Sequence, residues 1–279
     1  MHIPVLLEET IKYLEPNHGK VIVDCTLGFG GQAAALLSFG AKVIGIDRDP
    51  EAIDIVRKKL PQIKTIHDNF SNLASLIKEP VDGFLFDLGV SSCQIDEASR
   101  GFSIRFDGPL DMRMDQSRGR SAADLVNSLS GKELEKIFKE YGEERFARRI
   151  SNAICEMRGA NKIQTTLQLR EIVEKAIPTW RKRESTSRIF QALRIAVNSE
   201  LENLREALPA AASKLKGGGR IVVISYHSLE DRIVKWFFRE QEKSGILKII
   251  TKKPVVAGSA EIKMNPRAQS AKLRCAEKL

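Results

Sequence analysis

The chain of 279 residues holds few cysteines and no long apolar run. Cys25, Cys93, Cys155 and Cys275 stand far apart, without a C-x-x-C pair and without histidine at ligand spacing. A disulfide framework and a zinc site are therefore not expected, and no metal is assigned. Nothing approaches the roughly 20 consecutive apolar residues that a membrane helix needs. Residues 1–7 are too short, and lack the basic flank, for a secretion signal. The expectation is a cytoplasmic protein with no membrane contact. Internal repeats and low-complexity tracts are also missing, and the hydrophobic content of 42% is ordinary for a soluble globular protein, so disorder is not the default.

What is present is charge, unevenly spread. Residues 1–98 carry 9 Lys/Arg against 14 Asp/Glu, while residues 99–200 carry 20 against 14. Residues 245–279 carry 8 against 2. The net charge of +9 thus sits away from the N-terminal region. A polyanion suits such a surface, because lysine and arginine displace counterions condensed on phosphates; a merely solubilising surface is the alternative.

Strand and helix signals alternate over the first hundred residues. Val21-Ile-Val-Asp24 reads as a buried strand, Thr26-Leu-Gly-Phe-Gly-Gly31 as a tight turn, and Gln32-Ala-Ala-Ala-Leu-Leu37 as a helix start. Lys42-Val-Ile-Gly-Ile-Asp47 is a second strand, followed by a helix that Pro50 opens. Residues 65–67 and 83–87 supply a third and a fourth. The spacing predicts βαβ units and a parallel sheet. From residue 99 the rhythm stops, and residues 125–154, 167–177 and 189–215 show helical spacing instead. After Gly217-Gly-Gly219 it resumes, with strands over residues 220–225, 247–251 and 272–276 and a helix over 229–243. We therefore expect an α/β protein with a Rossmann-like sheet formed by residues 1–98 and 216–279, interrupted by a mostly helical inserted domain over residues 99–215.

The glycine turn at Gly28, Gly30 and Gly31 permits a cofactor to approach the backbone, and Asp47, 19 residues beyond Gly28, can accept hydrogen bonds from both ribose hydroxyls of an adenosine. A nicotinamide dinucleotide meets the same pattern. Asp24 places a carboxylate where the ammonium of S-adenosylmethionine would lie, and Asp87-Leu-Gly-Val-Ser-Ser92 ends the fourth strand, where methyltransferases of this fold contact cofactor and substrate. Capping of a turn or helix is the structural alternative for each of the three aspartates.

Longer motifs carry a resemblance. They are His2-Ile-Pro-Val-Leu-Leu7, Asp24 to Gly31, Gly45-Ile-Asp-Arg-Asp-Pro50 and Asp82 to Gln94, followed by Arg100-Gly-Phe-Ser-Ile-Arg-Phe-Asp-Gly-Pro-Leu-Asp-Met-Arg-Met-Asp115. With Tyr141-Gly-Glu-Glu144, Phe190-Gln-Ala-Leu-Arg-Ile195, Tyr226-His-Ser-Leu-Glu-Asp-Arg232 and Asn265-Pro-Arg-Ala-Gln-Ser-Ala-Lys-Leu-Arg274, these motifs span nearly the whole chain. It resembles the ribosomal RNA small-subunit methyltransferase H family, also called MraW. The resemblance implies a class I S-adenosylmethionine-dependent methyltransferase that modifies the exocyclic N4 amine of a cytidine in the decoding region of small-subunit ribosomal RNA. It also implies cofactor contacts at Gly30, Gly31, Gln32, Asp47, Phe70, Asp87 and Gln94. Gln32 stands where the family usually has histidine, Cys93 where it has proline, and Tyr226 where it has phenylalanine.

Cytosine N4 is a weak nucleophile, so the site must align the amine and accept its hydrogens. Asp87, Ser91 and Ser92 are the candidate acceptors, and Phe102 and Phe106 the candidates for stacking on a flipped base. Packing is the alternative for both phenylalanines, and a structural role is favoured for His227. Arg145, Arg148 and Arg149, then Trp180-Arg-Lys-Arg183, give the inserted domain a basic and aromatic surface suited to structured RNA, a solvated helix face being the alternative for the arginines; residues 265–274 form a second basic segment, suited to backbone contacts or simply an exposed tail loop. The partner is ribosomal RNA or the assembled small subunit, and self-association stays open. A nicotinamide oxidoreductase and a non-catalytic ribosome-assembly factor are the alternatives that sequence leaves standing.

Overall fold

A computed structural model describes residues 4–279, the side chains of Ser92 and Cys93 excepted. The chain divides into two compact units, one running to Gly89 and resuming over Leu201–Leu279, the other Val90–Glu200.

The first unit is built on seven strands: β1 (Val21–Asp24), β2 (Lys42–Asp47), β3 (Lys64–His67), β4 (Val81–Asp87), β5 (Leu215–Ser225), β6 (Leu247–Ile249) and β7 (Lys272–Lys278). They lie in the order β3-β2-β1-β4-β5-β7-β6, with β7 antiparallel to both of its neighbours and the other pairings parallel. The order reverses between β1 and β4, and in open α/β sheets such a switch point opens a crevice at the carboxyl ends of the strands. Among the described residues four helices precede the second unit: α1 (Leu7–Leu14), α2 (Gly31–Ser38), α3 (Pro50–Lys59) and α4 (Leu73–Leu76).

The second unit contains α5 (Ser92–Asp96), α6 (Ala122–Ser128), α7 (Gly131–Glu140), α8 (Ala147–Ala160), α9 (Thr166–Ala176) and α10 (Lys182–Asn198). Its core includes Val126, Leu134, Phe138, Ile150, Val173 and Leu193. The helical stretch expected over residues 125–154 is three helices. Ser130 and Glu133 form a capping box that starts α7, as Ser121 and Asp124 do for α6. At the far end of α7, Gly142 lies where a Cβ would come within 2.7 Å of the Phe138 carbonyl oxygen, so the chain turns there on a residue without a side chain.

Three helices complete the chain: α11 (Glu200–Lys214), α12 (Ser228–Lys243) and α13 (Ser259–Met264). Ser199 in the left-handed region (φ 49°) ends α10 and divides the helix expected over residues 189–215. The division also moves the expected boundaries, from residue 98 to 89 and from 215 to 200. The reason for the second shift is packing: Leu204, Ala207, Leu208 and Ala211 of α11 share a core with Val23, Phe84, Phe86 and Val223 of the sheet. On the opposite sheet face Leu85, Ile22 and Val222 pack with Leu6, Leu14, Leu36 and Ile53. Alternation along β4 thus buries Phe84 and Phe86 on one side and Leu85 on the other, as expected of a strand covered on both faces. Among the described residues no helix is long and apolar enough to cross a membrane.

Candidate active site

The strand ends and the turns after them gather three aspartates in the first unit. Asp24 closes β1, and one of its carboxylate oxygens accepts the Thr26 N–H at 3.2 Å. The other, Oδ2, is buried and has no hydrogen-bond partner within the protein. Burial, reinforced by the charges of Asp87 and Asp47, raises the Asp24 pKa to about 7 despite the Thr26 N–H, which lowers it.

Asp47 closes β2 and ties two segments together. Its Oδ2 accepts the Gly28 N–H at 2.7 Å and its Oδ1 the Asp49 N–H at 2.8 Å. Asp49, not Asp47, caps α3, through the Glu51 N–H. Burial pushes the Asp47 carboxyl above its ordinary range against those two hydrogen bonds. The glycines differ in what they do. Gly28 is left-handed (φ 49°), and a Cβ there would meet only the Thr26 carbonyl oxygen at 3.9 Å, so the space beside the turn is open. A Cβ at Gly30 would lie 2.9 Å from Leu60 Cδ1, and one at Gly31 2.8 Å from Pro4 Cγ. Close packing within the protein, and at Gly30 also a left-handed backbone (φ 79°), excludes a side chain at both positions whether or not a cofactor lies beside them.

Asp87 closes β4. Its backbone N–H donates to Thr26 Oγ1 at 2.7 Å, and its Oδ1 accepts the Tyr226 hydroxyl at 2.7 Å. Gln32 supplies a second side-chain hydrogen bond, and Gln32 Nε2 also donates to the Val5 carbonyl oxygen at 2.9 Å. Burial raises the Asp87 pKa to about 6; Tyr226 and Gln32 lower it, and the charge of Glu230 raises it. Tyr226 is the partner that sequence reasoning missed, since there it stands out only as a departure from the family pattern. Glu230 Oε2 accepts the Tyr226 N–H at 2.8 Å, and Glu230 Oε1 lies 3.1 Å from His227 Nε2, which gives His227 a structural place at the start of α12. Phe70 is half-buried after β3 and meets Phe86 edge-on, with ring centroids 5.7 Å apart.

The remaining candidates belong to the second unit. Ser91 and Gln94 bond reciprocally: Gln94 Oε1 accepts the Ser91 N–H at 3.0 Å, and Ser91 Oγ accepts the Gln94 N–H at 3.2 Å. The Ser92 side chain lies outside the described residues. Phe102 is buried in the core of this unit, which removes it as a stacking platform, whereas Phe106 is 54% exposed. Arg145, Arg148 and Arg149 are exposed at and before the start of α8. Trp180 is 74% exposed, with the Arg181 guanidinium 4.8 Å from its ring centroid. In the first unit, the basic segment at residues 265–274 is smaller than its sequence suggests. Arg274 is buried in β7 and paired with Asp231 at 2.6 Å, because the strand expected over residues 272–276 is an inner strand of the sheet.

The donor set fits S-adenosylmethionine, a cationic ligand with a nucleoside: an orphaned buried carboxylate oxygen at Asp24, an acid at the end of β2, and an open glycine turn between them. Sheet order and site define a class I S-adenosylmethionine-dependent methyltransferase. Two solved structures share the fold over their full length and that of this chain: a protein assigned as an rRNA methylase from Clostridium thermocellum (17% identity, TM-score 0.50) and one assigned as a methyltransferase from Streptococcus mutans, in complex with SAH (15% identity, TM-score 0.51). The MraW methylase family model matches residues 1–279, and the chain belongs to that family. It is similar to the ribosomal RNA small subunit methyltransferase H of Halothermothrix orenii (47% identity, covering 100% of this chain and 98% of the relative) and of Deinococcus deserti (49% identity, 100% and 94%).

Proposed function

We propose that this chain methylates the N4 amine of a cytidine in the decoding region of small-subunit ribosomal RNA, in the cytoplasm, using S-adenosylmethionine. The observation that carries the reading is the full-length similarity to relatives named for that RNA. When bound, the cofactor supplies an electrophilic methyl group on a sulfonium. Asp24 would hold its ammonium, Asp47 its ribose hydroxyls and Phe70 a face of its adenine, with Gly30, Gly31, Gln32 and Gln94 as further contacts. Asp87 accepts hydrogens of the target amine. Tyr226 and Gln32 fix the Asp87 carboxylate in place, so that its charge is aimed before the nitrogen becomes positive. Transfer of labelled methyl groups to isolated small subunits, with mapping of the labelled nucleotide, tests the proposal. Label on another nucleotide, or none, would overturn it.

The Asp47 geometry adds an expected result. Asp47→Ala weakens S-adenosylmethionine binding by roughly tenfold or more, and it also lowers the melting temperature, because the Gly28 and Asp49 N–H groups lose their acceptors. Calorimetry and thermal unfolding measure the two effects; an unchanged affinity would remove Asp47 from the cofactor site.

The exposed arginines of the second unit give another. Arg148→Ala with Arg149→Ala lowers RNA affinity and flattens its dependence on salt, by roughly one to two units in the slope of log affinity against log salt, with cofactor affinity intact. Superimposable salt titrations of the double variant and the parent would refute this placement of the RNA.

A further inference from the structure

Helix α12 carries four basic residues, Arg232, Lys235, Arg239 and Lys243, and four acidic ones, Glu230, Asp231, Glu240 and Glu242. The helix is neutral in sequence, and toward solvent it shows the three cations Arg232, Arg239 and Lys243 with two carboxylates, Glu240 and Glu242, that lie at the two edges of the cationic stripe. Glu230 is buried against the Tyr226 N–H, Asp231 is paired with Arg274, and Glu242 accepts the Ile249 N–H at 3.0 Å. Arg232, Arg239 and Lys243 are exposed. At about 100° per residue these three, with Lys235 and Trp236, fall within about a third of the helix circumference, away from the buried Val234 and Phe238. The stripe from residue 232 to 243 is about 16 Å long.

Trp236 lies in the middle of that stripe and is 57% exposed. Its ring has the Arg239 guanidinium 5.3 Å from its centroid and Lys235 Nζ at 5.8 Å. The chain has two tryptophans, and both are exposed with a guanidinium beside the ring. Core packing explains neither. An indole set among cations offers an unpaired base a stacking face and its phosphates a charged border.

We propose that the Trp236 face of α12 binds an unpaired stretch of the RNA substrate, one base stacking on the indole while Arg232, Arg239 and Lys243 meet the backbone. The inference rests on the RNA-substrate reading above and adds to it a contact surface on the sheet-bearing unit. A second copy of the chain is the poorer occupant, since pairing this stripe with itself would set cations against cations.

The Trp180→Phe variant leaves Trp236 as the sole tryptophan, so its emission reports on this face alone. Titration with an oligoadenylate of about ten nucleotides is expected to quench it, with a midpoint that rises with salt. Trp236→Ala should then lower oligonucleotide affinity about tenfold and raise KM for small subunits more than it lowers kcat, with S-adenosylmethionine affinity unchanged. Arg239→Gln with Lys243→Gln, which leaves the indole in place, should weaken binding and reduce its salt dependence. Emission indifferent to RNA, or equal affinity of the variants and the parent, would overturn the proposal. So would emission that changes with protein concentration alone together with a dimer in sedimentation, since the face would then be a self-association surface. Quenching of the Trp180→Phe variant by RNA, with no methylation of small subunits by the parent, would count against the methylation reading and leave this surface standing.

Discussion

Replacing Asp87 by asparagine is expected to lower the single-turnover rate of methyl transfer to small subunits by roughly 10²-fold or more, the loss typical of one preorganised electrostatic group, while RNA binding persists. The carboxylate is positioned by two side chains, the Tyr226 hydroxyl at 2.7 Å and Gln32. Neither is a backbone N–H at a helix start, so the capping role that sequence left open does not describe this residue. Asparagine keeps the shape and an acceptor for Tyr226 and removes only the charge. The pH profile adds a second readout. With the Asp87 pKa raised to about 6, the parent rate should fall as pH drops through that value, and the variant should lack this limb. A variant rate within about threefold of the parent, at saturating cofactor, would end the catalytic assignment.

Much of the sheet was legible because its strands are short apolar runs bounded by turn residues. The first two strands fall on the expected residues, 21–24 and 42–47. Helix α1 was not foreseen. Its apolar residues Leu7, Ile11 and Leu14 do stand at helical spacing, but over eight residues the pattern covers only about two turns. The domain boundary was misplaced because α11 has the same helical spacing as the helices before it, and spacing reports that a face is apolar, not which core receives it. The same limit applies to Phe102 and Phe106, four residues apart and alike in sequence, one in a core and the other half in solvent. Within the site, Asp24, Asp47 and Asp87 were readable as acids at strand ends. The contact of Asp87 with Tyr226 was not, because it spans 139 positions and exists only where β5 lies beside β4.

Asp24→Asn should act in opposite directions on binding and on stability. Asp24 is 1% exposed, and its pKa in the folded protein is about 7 against an ordinary 3.8. Between those values the folded state holds a proton that the unfolded chain releases, so this group favours folding at low pH and opposes it progressively as pH rises toward 7. Above pH 7 the full penalty is present. Removing the charge should therefore stabilise the free protein at about pH 8, on the order of 2 kcal/mol once relaxation around the carboxylate is allowed for, and should matter little near pH 4. Binding goes the other way. The unpartnered Oδ2 is the atom that would meet the cofactor ammonium, and losing a buried charge-assisted hydrogen bond should weaken S-adenosylmethionine binding by roughly 10²-fold. In the parent, affinity should fall as pH drops below about 7, where Asp24 takes up a proton; in the variant that dependence should be largely lost. Denaturant unfolding and calorimetry at about pH 8 and pH 6 measure both sides. A variant that binds cofactor within about threefold of the parent at the higher pH would show that the ammonium is held elsewhere, whatever its stability.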